Sequence, residues 1–489
     1  MTSGAVAPAR GWGPERTVVP GGALGRFVRT RRVHGALVLL LALVALGCTR
    51  AAQITGPGPG STTTPRRADG EFGSLGRVCG PGRARASTAV GVGPSEIRVG
   101  TIADVGFVGR PGLHREFFDV ADAFAAWCNA AGGIDGRRLR VDRLDAKVVE
   151  YRPRILEACG RDLALVGGGG AFDDQGVRDR LSCLLPDFPV FVASEAARGS
   201  DLSIEVGPTP LDSYPAGDLR WLAARYPRAR SHVGAITAAY PAGIVNQTQA
   251  VAGARRAGMT LVWEGQYNAI GEPTWVPIAQ ALKSRGVRGL IWTGEPQNLA
   301  RLERALHDIG HDLDWVRADP NHYERDFITA GGGATGATVM RSDIVAFEEA
   351  RRGTPTHRYL EIVDRYAPRG RTRTYLGVQA FSAWLLFARA AAECGDGLTR
   401  GCLVREAQRI GGTAWTGGGL HAPVDVAGGR ASPCYRIIEA TPRGFRSLAP
   451  LDPGPGGFDC DPANVAAVPG LGSRGLTLAA VGRSPADLG

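Results

Sequence analysis

Between residues 97 and 317 the chain alternates short apolar runs with stretches of helical period. Ile97–Ile102 reads as a buried strand, and Leu113–Ala131 follows as a helix with Phe117, Ala121, Phe124 and Cys128 on one face. Gly132 and Gly133 end it, as C-terminal glycines do. The same beat predicts strands over Arg138–Leu144, Leu163–Val166, Val190–Ala193, His232–Ile236, Leu261–Glu264, Gly289–Thr293 and Asp314–Arg317. Helical patterns fall at 150–159, 174–182, 213–225, 243–257, 275–285 and 299–309, with a long one at Tyr375–Ala392 and a last strand near Cys434–Ile438. Strands alternating with helices argue for parallel sheets covered on both faces, and the units are too many for one sheet of ordinary size. The expected class is α/β: two doubly wound parallel-sheet lobes joined by a hinge.

The ends read differently. Arg26, Arg29, Arg31 and Arg32 precede a 13-residue apolar run, Gly35–Gly47, and then Cys48. A membrane span needs roughly 20 apolar residues, so the run fits the core of a secretory signal instead. Gly47 directly before Cys48 resembles the bacterial lipoprotein signal, in which that cysteine is lipidated and becomes the new N-terminus. The expectation is a protein anchored by lipid at the extracytoplasmic face of the cell membrane, or otherwise secreted or periplasmic. Residues 1–47 would be the signal, 48–78 a Gly/Pro/Thr/Ser tether, and 451–489 a similar Gly/Pro-rich tail. The first lobe is expected over 79–212 plus about 338–395, and the second over 213–337 plus about 396–450.

Composition narrows the partners. With 489 residues and 44% hydrophobic content the chain is not a disordered polymer. Its net charge is +10, but residues 1–47, with six Arg and one Glu, hold half of that excess. The remainder is too small to argue for nucleic acid. Setting Cys48 aside leaves eight cysteines, an even count that suits disulfides in an oxidising compartment. Loop closure favours the local pairs Cys394–Cys402, Cys159–Cys183 and Cys434–Cys460, with Cys79–Cys128 left by elimination.

In open α/β sheets ligands sit beyond the carboxyl ends of strands, which directs attention to loops 103–112, 167–173, 194–199, 237–243, 294–298 and 318–323. The stretch "IRVGTIAD…GLHREFFDVADAFAAWCNAAGGIDGRRLRV" has an N-x-x-G-G-I-x-G-R turn at Asn129, Gly132, Gly133, Ile134, Gly136 and Arg137. With "LALVGGGG", "VFVASEAA", "VGAITAAYPAG", "LIWTGEPQNLARLERALHDIG" and "TYLGVQAFSAWLLFARA", it resembles the bacterial substrate-binding proteins for branched-chain amino acids over about residues 95–440. That resemblance implies a type I binding-protein fold, a small-molecule ligand captured between lobes, delivery to an ABC permease, and no cofactor.

The resemblance also implies ligand positions. Where the family has a Ser-rich loop for the ligand carboxylate, this chain has Gly167, Gly168, Gly169 and Gly170, then Ala171 and Phe172. Backbone N–H groups of such a run can face an anion, or the run can be a plain tight turn. The next loop offers the Ala196 carbonyl, and Arg198 stands where a Thr is usual, either as a fork to a carboxylate or as a solvated charge. In the second lobe Tyr240 falls at the aromatic position over the ligand, Glu295 where an aromatic is frequent, and Asp319 at the acid that binds the ammonium group. Two acids and an Arg favour a polar or zwitterionic molecule over a plain aliphatic amino acid.

Enzyme readings have less behind them. His307 and His311 have metal-like spacing, but Asp308 stands where a zincin has its Glu, and Gly310 suggests that the helix is already ending. No G-x-S-x-G or Walker A motif is present. A solute receptor for a permease is the expected function, with a ligand sensor acting on a signalling partner, or an extracytoplasmic hydrolase, as the alternatives.

Overall fold

The computed structural model describes residues 70–84, 89–472 and 475–488. The basic flank, the apolar run and Cys48 lie outside the described residues, and no helix among those described is long and apolar enough to cross a membrane.

The first sheet consists of β1 (Glu96–Ala103), β2 (Arg138–Asp145), β3 (Leu165–Val166) and β4 (Asp187–Phe188), all parallel, in the order β2-β1-β3-β4. Between them run α1 (Arg115–Ala130), α2 (Tyr151–Cys159) and α3 (Asp174–Ser182). β1 is apolar because both its faces are covered: Ile97, Val99 and Ile102 are at most 1% exposed. α1 buries Phe117, Ala121, Phe124 and Cys128, the face its period predicts. After it, Asn129 exchanges hydrogen bonds of 2.7 and 3.0 Å with the backbone of Leu139, which sets the start of β2. Gly133 has φ 85°, and a Cβ there would stand 2.2 Å from the Arg137 carbonyl oxygen, so the turn requires glycine.

The second lobe starts with β5 (Ser213–Pro215) and α4 (Gly217–Arg225). There follow β6 (Val233–Ala238), α5 (Pro241–Arg256), β7 (Leu261–Tyr267), α6 (Val276–Ser284), β8 (Gly289–Thr293), α7 (Pro296–Asp308), β9 (Trp315–Ala318), α8 (Arg325–Gly331) and β10 (Thr338–Ser342). The chain then leaves for α9 (Pro355–Tyr366), α10 (Tyr375–Cys394) and α11 (Arg400–Gly411). Of these, α9 and α10 pack on α1, and α11 packs on α10. It returns as β11 (Arg436–Thr441) and β12 (Gly444–Leu448), which run antiparallel at one edge of a sheet ordered β12-β11-β10-β9-β8-β6-β7. The fold is α/β with two lobes, the first on a parallel sheet and the second on a sheet that is parallel except for β11 and β12.

The exchange points between lobes lie elsewhere than expected. Thr338–Ser342 is a buried strand held between β9 and β11, so the second lobe keeps it; the Gly-rich run before it masks its pattern. α11 goes with the first lobe, because the Arg400 guanidinium donates to the carbonyls of Cys159, Asp162, Leu163 and Cys183 at 2.6–3.1 Å. The strand expected at Val190–Ala193 lies earlier, at Asp187–Phe188, and Pro189 has no N–H to extend its ladder. Residues 213–215, expected to begin a helix, form β5.

Neither end of the ordered part is a free spacer. Within the expected tether, Gly70, Phe72 and Val78 are buried: Phe72 is 1% exposed and its ring lies 5.2 Å from that of Phe381 and 6.4 Å from that of Trp127. Burying one such ring contributes roughly 2 kcal/mol, and the Cys79–Cys128 bond with the hydrogen bonds of Ser74 N–H to Gly418 and Val78 N–H to Gly70 adds to the ordering of the segment. The tail carries β13 (Val465–Ala467), antiparallel to β5, and buries Phe458 and Leu478. The structure contains the disulfides Cys79–Cys128, Cys159–Cys183, Cys394–Cys402 and Cys434–Cys460.

Among the described residues, two paired ribbons lie at the crossings between the lobes. One pairs residues 343–345 with 420–422, through Ile344 and His421 and the bond from Ala422 N–H to the Asp343 carbonyl at 2.7 Å. The other pairs the first crossing, 212–216, with tail residues 464–468: Ala216 N–H donates to Asn464 and Val468 N–H to Asp212, both at 2.7 Å.

Candidate functional site

The loops after β1, β8 and β9 meet, and the residues that meet are charged. Arg110, after β1, forms an ion pair with Glu295, which starts α7, and lies 3.9 Å from Glu324, beyond β9. Arg371, just before α10, pairs with the same Glu324 and stands 3.7 Å from Glu116 of α1. Glu116 and Glu324 are only 3% and 4% exposed. Carboxylates that deep require cations beside them, and the two arginines supply them. Burial, with Arg371 adding, lowers the Arg110 pKa to about 10, which leaves it charged at neutral pH.

Around this set the first lobe is held by Asp104. Its buried carboxylate accepts from the backbone N–H of Val148 at 2.7 Å and of Ala171 at 3.0 Å, with His114 Nδ1 at 3.5 Å. Burial alone would raise its pKa; the imidazole and the two N–H groups outweigh that and hold it below the usual carboxylate range. Through Ala171 this acid fixes the end of the glycine run. In the second lobe Tyr267 stacks on Trp292 with ring centres 4.7 Å apart, and its hydroxyl accepts from the Glu295 N–H at 3.3 Å. Burial raises the Tyr267 phenol and Tyr240 adds to this, while Arg110 opposes, so the three share one electrostatic environment.

The residues expected at the ligand are found in these places. Gly168, Gly169 and Gly170 are buried where β3 ends. The Gly169 N–H donates to the Ile102 carbonyl at 3.0 Å, and a Cβ on Gly168 would stand 2.5 Å from that same oxygen. Close passage of β1 therefore accounts for Gly168, while a Cβ on Gly169 would stand 3.1 Å from both the ring and the carbonyl oxygen of Phe191. Phe172 is half-buried beyond them. The Ala196 carbonyl accepts the Leu476 N–H at 2.8 Å. Arg198 is not a solvated charge: it is 3% exposed and donates to Gln249 at 2.8 Å and to Asn246, both on α5 of the other lobe. Tyr240 is half-buried; burial raises its phenol, Asp319 adds to the effect and Arg198 opposes it. Asp319 accepts from Arg317 at 2.5 Å, and Arg317 also reaches the buried Asp218 at 2.8 Å.

Glu295 is thus the one expected residue that pairs directly with a charge across the cleft; its partner Arg110, with Glu116, Glu324 and Arg371, was not singled out from the sequence. Arg110 lies inside the loop 103–112 and Glu324 one residue beyond 318–323, so both were within reach of the strand-end argument. Arg371 and Glu116 had no such signal. Among the described residues no group of three or more His, Cys, Asp or Glu could hold a metal ion. The His307–His311 spacing does not make a site either, since α7 ends at Asp308 and the His311 ring faces the Val287 carbonyl at 3.0 Å.

The model of a periplasmic binding protein family matches residues 212–444. The chain has the type I periplasmic-binding-protein fold. A fatty acid ABC transporter substrate-binding protein from Thermomonospora curvata superposes with TM-score 0.63 at 16% identity, over 78% of this chain and 96% of its own. A possible leucine/isoleucine/valine-binding protein from Rhodopirellula baltica gives 0.62 at 14%, over 73% and 96%. A leucine-binding protein from Thermotoga maritima gives 0.60 at 13%, over 73% and 99%. No curated protein matches the chain by sequence. In that fold Arg110 belongs to the first lobe, and Glu295 and Glu324, with which it makes its ion-pair contacts, belong to the second.

Proposed function

We propose that this chain is an extracytoplasmic solute-binding protein, not an enzyme, that captures a small polar or zwitterionic molecule between its lobes and delivers it to an ABC permease. The observation that carries the reading is the set of charges meeting between the lobes: Arg110 and Arg371 from the first, Glu295 and Glu324 from the second. Facing an alkyl chain, the exposed parts of Arg110, Arg371 and Glu295, at 22%, 23% and 29%, would lose hydration that their mutual pairing replaces only in part, so the cleft favours a dipolar molecule over a fatty acid. The anionic end of the solute would face Arg110 and Arg371, and its cationic end Glu295 and Glu324, with Asp319 and Tyr240 beside them. A solute touching both lobes stabilises the closed arrangement through contacts the open one lacks.

A thermal-shift screen of amino acids, amides, ureas, small peptides and fatty acids tests this. At 100 times its dissociation constant a solute adds about 2.7 kcal/mol of stability. A raised melting temperature with dipolar compounds supports the reading. If no compound of any class moves it, the solute-binding function is wrong.

The same reading includes the lipid anchor. Cys48, after the basic flank and Gly47, would carry it. Cys48→Ser should then accumulate as an unprocessed precursor in the membrane fraction. Mass spectrometry that finds the mature chain beginning elsewhere, without lipid, removes the anchor.

A further inference from the structure

We infer that residues 475–488 form a strap that positions the loop Ala193–Asp201 and, through Arg198, ties it to the second lobe. The tail starts on the second lobe, held by Cys434–Cys460 and by Arg220, which donates to Asn464 Oδ1 at 2.6 Å. It pairs as β13 with β5, along the first crossing. From Gly475 it lies on the first lobe. Gly475 N–H donates to the Arg198 carbonyl at 2.7 Å, Leu476 N–H to the Ala196 carbonyl at 2.8 Å, and Asp201 N–H back to Leu476 at 3.0 Å. Leu478 N–H then reaches the Asp201 carboxylate at 2.7 Å, and its side chain is 3% exposed. Arg178 of α3 donates to the Ala480 carbonyl and Arg483 to that of Ser182, both at 3.0 Å, so the strap is also fastened to α3.

The contacts close into a ring. The strap holds the carbonyls of Ala196 and Arg198, and the Arg198 guanidinium holds Gln249 on α5. The Gln249 amide donates to the carbonyls of Pro210, Leu211 and Ser213 at 2.8–3.2 Å, which is the first crossing. That crossing pairs with the tail itself. The strap lies beyond residue 444, where the family match ends. It adds a further crossing between the lobes, and it takes a carbonyl, that of Ala196, which the resemblance gives to the ligand. That the braced loop faces a solute rests on the solute-binding reading; the grip itself does not.

The full chain is compared with Leu476→Pro, which removes the N–H given to Ala196, and with Leu478→Ala, a milder variant should the first not fold. Labels on Val149→Cys and Ile270→Cys, 68% and 66% exposed on opposite lobes, report the interlobe distance. Amide exchange over 194–201 should quicken by about tenfold or more while β8 keeps its rates, and the distance distribution should broaden toward longer values. Unchanged exchange in a folded variant overturns the strap. Faster exchange at an unchanged distance overturns its interlobe role, and a uniform rise across all strands reduces it to general stability. No bound solute is needed, so failure here and failure of the solute-binding reading remain separate.

Discussion

Arg110 of the first lobe and Glu295 of the second form an ion pair across the cleft, with side chains 22% and 29% exposed. Solvent screens such a pair in part, so it is worth more than an open surface bridge and less than a buried one. A double-mutant cycle of Arg110→Ala and Glu295→Ala, read by denaturant unfolding, should show a coupling of about 0.5–1 kcal/mol that shrinks as salt is added. Effects that simply add would mean the two side chains act independently.

Arg317 divides its guanidinium between two acids of unequal burial: Asp218 is 1% exposed and Asp319 30%. Asp218→Asn takes the deep partner from a buried cation and should cost about 3–5 kcal/mol. Asp319→Asn leaves that partner in place and should cost about 1 kcal/mol. Denaturation midpoints settle the order, and the reverse order would make Asp319 the main structural partner. If Asp319 also holds a solute's cation, its variant should lose roughly 30-fold or more in affinity for that solute while staying folded.

Glu303 lies buried in α7 with the Thr338 hydroxyl donating to it. Burial pushes its carboxyl up to about 8, and Thr338 offsets this only in part. Because the folded value exceeds the unfolded one, its contribution to stability is whole below about pH 4.5 and is lost as pH rises through about 8. Glu303→Gln abolishes that dependence, so the variant should gain on the parent as pH is raised across this window. A melting-temperature difference that stays constant with pH contradicts the titration.

Cys79–Cys128 closes a sequence separation of 49 residues and Cys394–Cys402 one of 8. In the chain-entropy account the longer loop contributes about 1.6 kcal/mol more. Replacing each pair by serines should therefore lower the denaturation midpoint more for Cys79–Cys128. Non-reducing peptide mapping should recover both pairs, and free thiols at any of these four positions would refute the pairing.

The alternation from β1 to β9 was legible because each strand and helix repeats its burial at a fixed period: Phe117, Ala121 and Phe124 are core residues where the pattern puts them. α9 and α11 were not, because α9 buries only Thr356, Tyr359, Ile362 and Val363 among charged neighbours, and α11 is similarly sparse. The tail was misread from its glycines and prolines. Its order comes from the Cys434–Cys460 bond, which the spacing of the cysteines does suggest, and from the burial of Leu478 and the pairing of β13 with β5, which are tertiary and have no local signature. At the site, strand ends pointed to Glu295 and Asp319. That Arg110 faces Glu295, and that Arg371 shares Glu324, depends on how the lobes oppose each other, which no local pattern encodes.

Arg400 reaches back from α11 to four carbonyls around the Cys159–Cys183 bridge, and this has a consequence for the order in which the molecule can be completed. A chain emerging N-terminus first exposes β1–β4 and α1 long before the helices that cover them, α9 to α11, exist. The second lobe waits likewise for β11 and β12. The first lobe is completed only by α9 to α11 and the second only by β11 and β12, so both halves depend on segments that begin at Pro355 or later in the chain.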